Sequence, residues 1–225
     1  MSAYPEIAPN IAQWSIRRHY DVLQQLREYG RPGVITLIGI DGHSGSGKST
    51  LANGLAGLAD DVCAIHTDDL AWHHSFFDWG QVLAERILAP LRRNGPPIVY
   101  RPEAWVARDR PGAINVPAAT AVVVVEGVGA CSRDLEPWFD ATVWVHAREE
   151  VARRRVIAKG VDSAEFVDDW MAQENSFLAV HQPWSRADLI VGGELGQPTV
   201  GGETGNVVTS PGPGRPSDVR RLLDD

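Results

Sequence analysis

The sequence predicts an α/β fold: a doubly wound, mainly parallel sheet of about five strands between layers of helix, a three-layer sandwich. Three observations predict it. Short β-branched runs alternate along the chain with helical patterns. Residues 121–125 (AVVVV) make the continuous apolar run of a parallel strand covered on both faces. The polar turns best suited to chemistry each follow a strand end, where open parallel sheets place ligands.

The elements follow in order. Residues 7–29 carry Ile11, Trp14, Val22, Leu26 and Tyr29 at helical spacing and stop at Gly30 and Pro32, which predicts a leading helix within 1–33. Residues 34–41 (VITLIGID) form a strand, 42–47 a glycine-rich turn and 48–58 a helix. A second strand at 62–66 ends in Thr67, Asp68 and Asp69, with a helix at 79–91 beyond. The strand at 121–125 ends in Glu126. Further strands are expected at 142–145 and 189–191, and helices at 148–158 and 164–180. The main domain is therefore set at 34–191. Residues 192–225 open on a stretch rich in Gly, Pro, Ser and Thr and are expected to be a flexible tail.

With 225 residues, 44% hydrophobic and 22% charged, the chain has the composition of one folded globular domain. A net charge of −8 argues against a nucleic-acid surface, which needs clustered Lys and Arg. No apolar run reaches the ~18 residues of a membrane span, and no basic segment followed by an apolar one opens the chain, so a cytoplasmic protein is expected. Cys63 and Cys131 lie far apart in strand-like contexts and suggest neither a disulfide framework nor a metal site. The sequence does not indicate an oligomeric state.

Gly42, His43, Ser44, Gly45, Ser46, Gly47, Lys48 and Ser49 satisfy G-x-x-x-x-G-K-[ST], with a strand before and a helix after. Glycines let successive backbone N–H groups ring an anion at the positive end of a helix. Lys48 would reach the β- and γ-phosphates of ATP, Ser49 would hold Mg²⁺ and Thr50 would support the α-phosphate. The expected scaffold is thus that of the P-loop NTPases. A guanine-reading N-K-x-D is absent, because neither lysine of the chain follows Asn.

Asp68 is placed to accept a substrate hydroxyl proton; its alternative is a helix N-cap, a position that favours Asp. Glu126, closing a buried strand, is placed to act near Mg²⁺ through water. Arg153, Arg154 and Arg155 fan around a helix at ~100° per residue, so they form either a solvated face or a lid near 153–162 from which one or two at most would point at phosphate.

Four segments resemble the uridine kinase and nicotinamide riboside kinase family of P-loop kinases: IDGHSGSGKSTLA, IHTDDLAW, VVVVEG and RRRVIAKG. The resemblance, completed by ADLIV near the end of the domain, runs over 34–191. It implies transfer of the γ-phosphoryl group of Mg-ATP to a hydroxyl of a nucleoside-like acceptor, with Asp68 as base and Arg154 and Arg155 opening the lid. Asp68, Trp72, Tyr100, Trp105 and Arg108 should then line the acceptor pocket. The chain departs from the family's Asp-x-Phe-Tyr, reading Asp68-Asp69-Leu70-Ala71-Trp72, and has Ala158-Lys159-Gly160 where a further lid arginine stands. Other acceptors remain open: a nucleoside monophosphate, which would need Arg108 or Arg110 in the pocket, a pantothenate-like compound or a sugar. A regulatory protein that binds ATP without kinase activity is the reading from another class.

Overall fold

The computed structural model describes residues 11, 13–73, 77–161, 163–194 and 206–214. Those parts of the N-terminal and C-terminal segments at 1–10, 195–205 and 215–225 lie outside the described residues.

Strand β1 (Ser15–Arg18) runs into α1 (His19–Arg27), followed by β2 (Thr36–Gly42), α2 (Lys48–Ala56) and β3 (Val62–His66). A short helix α3 (Thr67–Ala71) leads to α4 (Gly80–Leu83), which continues through a π-helical turn at Ala84–Leu88 into α5 (Ala89–Asn94). Pro90 in the next turn lacks an N–H and its ring crowds the carbonyl four residues back, a sufficient reason for the widened turn. A two-stranded ribbon, β4 (Ile98–Tyr100) and β5 (Ile114–Val116), encloses α6 (Glu103–Ala107). The chain then forms β6 (Val122–Glu126), β7 (Ala141–His146), α7 (Glu149–Ala158), α8 (Ala164–His181), β8 (Leu189–Gly192) and β9 (Asn206–Pro211).

The main sheet has seven strands in the order β1-β9-β8-β7-β2-β6-β3. The five from β8 to β3 are parallel, as the sequence predicts. β9 and β1 extend that sheet with antiparallel pairings. These two strands correct the sequence reading. Residues 15–18 (SIRR) have no alternating apolar pattern; pairing with β9, from Ser15↔Thr209 to Arg18↔Asn206, makes them a strand where a continuous helix was expected. Within the expected tail, Val207, Thr209 and Ser210 are buried, because β9 covers the open edge of β8.

Side chains alternate across the sheet, and β6 shows how the layers arise. Val122 and Val124 pack with Val22, Leu26, Leu51 and Leu55 of α1 and α2. Val123 and Val125 face the other layer, with Leu83, Ile87, Leu88 and Leu91. Each fully buried valine contributes on the order of 1.5–3 kcal/mol relative to exposure. Helix α8 adds Leu178 to a third cluster around Trp144 and Ile190. Ser163 caps its start by accepting a hydrogen bond from the Phe166 N–H at 3.2 Å, and Gln182, in a left-handed conformation, ends it before Pro183. No helix among the described residues is long and apolar enough to cross a membrane.

A buried polar clamp fixes the α5 layer to the edge of the sheet opposite the glycine-rich loop. Arg92 donates to the carboxylate of Asp140 at 2.9 Å and to the carbonyl of Ile35 at 3.0 Å. The same Asp140 carboxylate accepts the Leu37 N–H of β2 at 2.8 Å. Removing one partner of a buried ion pair leaves the other charge uncompensated. Asp140→Ala is therefore expected to lower the unfolding free energy by about 3 kcal/mol in denaturant titrations.

Candidate active site

The site forms where β2, β6 and β3 end side by side. Register places Ile40 of β2 and His66 of β3 on either side of Glu126, so the glycine-rich loop, Glu126 and α3 share one rim. Gly47 caps α2 with φ of 104°, a left-handed conformation, and no side chain caps the helix. Its first N–H groups are thus left for an external acceptor. Gly45 has φ of 77°, and a Cβ there would stand 2.3 Å from the Ala152 carbonyl oxygen, so the loop and α7 approach only because this residue is glycine.

Three buried carboxylates surround the loop. Asp41, wholly buried, accepts hydrogen bonds from the backbone N–H groups of Gly42 (2.7 Å), Gly129 (2.9 Å) and Cys131 (2.9 Å), joining the loop to the turn after β6. Burial pushes this carboxyl up to about 6 against the pull of those three N–H groups and of Lys48. Glu126 is bonded to His66 Nδ1 at 2.5 Å. Burial raises the Glu126 carboxyl, but His66, Lys48 and Ser49 together bring it below its ordinary value, and the same pairing raises His66. Glu174 of α8 accepts from His43 Nδ1 (2.9 Å), the Ser44 N–H (3.0 Å) and Trp170 Nε1 (3.1 Å). Lys48, also buried, donates to the His43 carbonyl at 2.9 Å.

Above the loop lies a cavity of about 750 Å³. Of the sequence-predicted residues it brings together Ser44, Gly45, Gly47, Lys48, Ser49, Thr50, Asp68, Glu126 and Arg155. Asp68 is exposed to the cavity, where burial of its carboxyl by the walls and the neighbouring Glu126 raise it, opposed by Lys48, Lys159 and His66. Gly42, His43 and Ser46 are buried behind the loop, His43 packing edge-on against Trp144. Arg155 donates to the carbonyls of Gly193 (2.8 Å) and Gly45 (3.3 Å), while Arg154 is exposed and does not line the cavity. Arg153 pairs with Asp168 at 2.6 Å.

The expected acceptor residues fall elsewhere. Trp72, Tyr100, Trp105 and Arg108 do not line the cavity. Trp105 is buried beneath α3, donating from Nε1 to the Asp69 carbonyl at 2.9 Å, and Arg110 lies 3.8 Å over its ring while pairing with Asp69. Trp72 sits 5.0 Å from the same guanidinium, Tyr100 packs beside this cluster and Arg108 is exposed. Trp105 and Arg110, with Trp72, hold the α6 ribbon against α3. The aromatic wall is instead Phe77, Trp79, Phe166 and Trp170, with Phe77 stacked on Phe177 at 3.8 Å. Glu174 and Trp170 were missed by sequence reasoning, although Glu174 stands out as an acid between Met171 and Leu178 on the apolar stripe of α8. Lys159 lies in the cavity wall.

The donor set fits Mg²⁺ delivered with a nucleotide. The Ser49 hydroxyl and the Glu126 carboxylate adjoin, and no cluster of three metal-ligating side chains exists among the described residues, so phosphate and water oxygens would complete the shell.

The structure is similar to that of a candidate fructose transport system kinase from Silicibacter sp. TM1040, at 19% identity over 73% of this chain and 92% of that one, with a TM-score of 0.51. The likeness is one of overall fold, a mainly parallel sheet between helices. A candidate uridine kinase from Bacillus stearothermophilus aligns at 21% identity over 76% of this chain and 96% of that one, with a TM-score of 0.49. No protein-family model and no curated protein matches the sequence.

Asp41 provides a test of how this P-loop is held. Asn offers one carbonyl oxygen to three N–H donors, so Asp41→Asn is expected to cost about 1–3 kcal/mol of stability. The folded value of Asp41 exceeds the unfolded one, so its favourable contribution is complete below about pH 4 and is lost as pH rises through about 6. The stability gap between wild type and Asp41→Asn, measured by denaturant titration, should therefore narrow from pH 4 towards pH 7.

Proposed function

We propose that the chain transfers the γ-phosphoryl group of Mg-ATP to a hydroxyl of a small, nucleoside-like acceptor. One observation carries the reading: Lys48, Ser49, Asp68 and Glu126 face a single cavity whose far side is apolar and aromatic. Backbone N–H groups at the start of α2 and the Lys48 ammonium hold the phosphates, while Ser49 and, through water, Glu126 would hold Mg²⁺. Bound there, the ion would offset the charge that develops on the phosphates. The acceptor oxygen bonds to the γ-phosphorus as the bond to the bridging oxygen breaks; its proton passes to Asp68 and ADP leaves. A carboxyl held above its ordinary value is a stronger proton acceptor, which suits Asp68 to this role. Arg155 and Lys159 supply positive charge from the α7 side once the lid closes.

The aromatic wall supports a planar acceptor, because rings stack with offset faces. Its apolar character disfavours a nucleoside monophosphate, since Arg108 and Arg110 lie outside the cavity and Arg110 is already paired with Asp69. The test is ADP release from Mg-ATP across nucleosides, nicotinamide riboside, nucleoside monophosphates and sugars. A nucleoside-like compound is expected to raise turnover well above the ATP-only background. Asp68→Asn should lower that turnover about 10²–10⁴-fold, and Lys48→Ala should abolish it. Nucleotide binding without acceptor-dependent release would overturn the kinase in favour of a regulatory protein.

A further inference from the structure

Glu174 is wholly buried and, among the described residues, has no Lys or Arg hydrogen-bonded to it, a costly arrangement unless donors surround the carboxylate. The donors come from two places. His43 and Ser44 belong to the first half of the phosphate loop, and Trp170 is one turn back on the same helix. The Trp170 Nε1–H also lies 3.0 Å from the Ser44 hydroxyl, and its ring lines the cavity beside Phe77. The loop that Glu174 grips is the one whose His43 carbonyl receives both the Lys48 ammonium (2.9 Å) and the Ser46 N–H (3.0 Å). Moving His43 would thus release the lysine from its site and open the turn. Burial raises the Glu174 carboxyl, but His43, Lys48 and Ser44 bring it below its ordinary value, which keeps the grip ionic and charge-assisted.

We infer that Glu174 and Trp170 act as one positioning unit, through which the aromatic, acceptor-side wall on α8 sets the geometry of the phosphate loop before nucleotide arrives. This rests on the nucleotide-binding part of the proposed function and extends it: the two side chains bond to the loop and act through His43, Ser44 and Lys48. Nucleotide affinity is then partly a property of α8, and a ligand that shifts the Trp170 ring shifts the loop with it.

Calorimetric titration of Mg-ADP into the full chain tests this, with thermal unfolding measured on the same samples. Glu174→Gln replaces one acceptor oxygen by an NH₂ that opposes the surrounding N–H groups, and about tenfold weaker Mg-ADP binding is expected. Trp170→Phe keeps an aromatic ring but removes both indole hydrogen bonds, and about threefold to tenfold weaker binding is expected. Because the two act as a unit, the double variant should bind no more weakly than about the worse single one. Unchanged Mg-ADP affinity with only a lowered melting temperature would overturn the inference, as would losses that simply multiply. Should Glu174→Gln fail to fold, Trp170→Phe alone decides between weakened and unchanged Mg-ADP affinity. Wild-type chain that binds no Mg-ADP would remove the nucleotide reading as well, whereas normal wild-type binding with unaffected variants removes this inference alone.

Discussion

A loop that binds a polyphosphate must present unpaired N–H groups and one cation to the ligand while the chain behind it stays rigid. Here rigidity comes from buried carboxylates, which is a demanding choice next to an anion site. Each is balanced locally: Asp41 by three backbone N–H groups, Glu126 by His66, Glu174 by His43, Ser44 and Trp170. Their donors are consumed behind the loop, so the uncapped start of α2 and the Lys48 ammonium remain its positive features towards the cavity.

The sheet exists in the form that this arrangement needs. With β2 between β6 and β7, the loop leaves the sheet at its centre, where both faces are already covered by helices. The β6 neighbour brings Glu126 to Ser49, and β3 beyond it brings α3 and Asp68 to the same rim. The α6 ribbon then fixes α3 from behind, through the Trp105 indole and the Arg110–Asp69 pair. Arg110 cannot serve both that clamp and an acceptor phosphate, so the same contact that orients Asp68 bears on which acceptors the cavity suits.

What the sequence makes legible is local chemistry in a regular setting. The loop, Lys48, Ser49, Asp68 and Glu126 are readable because each sits at a strand end and their spacing is fixed by backbone geometry. β1 and β9 are not, because the strand at 15–18 is made by a partner nearly two hundred residues away and not by its own pattern. The acceptor wall fails for a related reason. Tyr100 and Trp105 come from the α6 ribbon and pack with Trp72 beside α3, while Phe77, Phe166 and Trp170 converge on the cavity from separate segments. Glu174 leaves a faint trace as a lone acid on an apolar stripe, but nothing local shows that its partner is a loop some 130 residues earlier.

Amide hydrogen exchange with and without a Mg-bound, non-hydrolysable ATP analogue tests the central claim most directly. Slowed exchange at residues 45–50 is expected, with a second protected segment at 153–160 as Arg155 and Lys159 close over the phosphates. Exchange at 45–50 that stays unchanged at saturating analogue would contradict the assignment of these amides to phosphate binding.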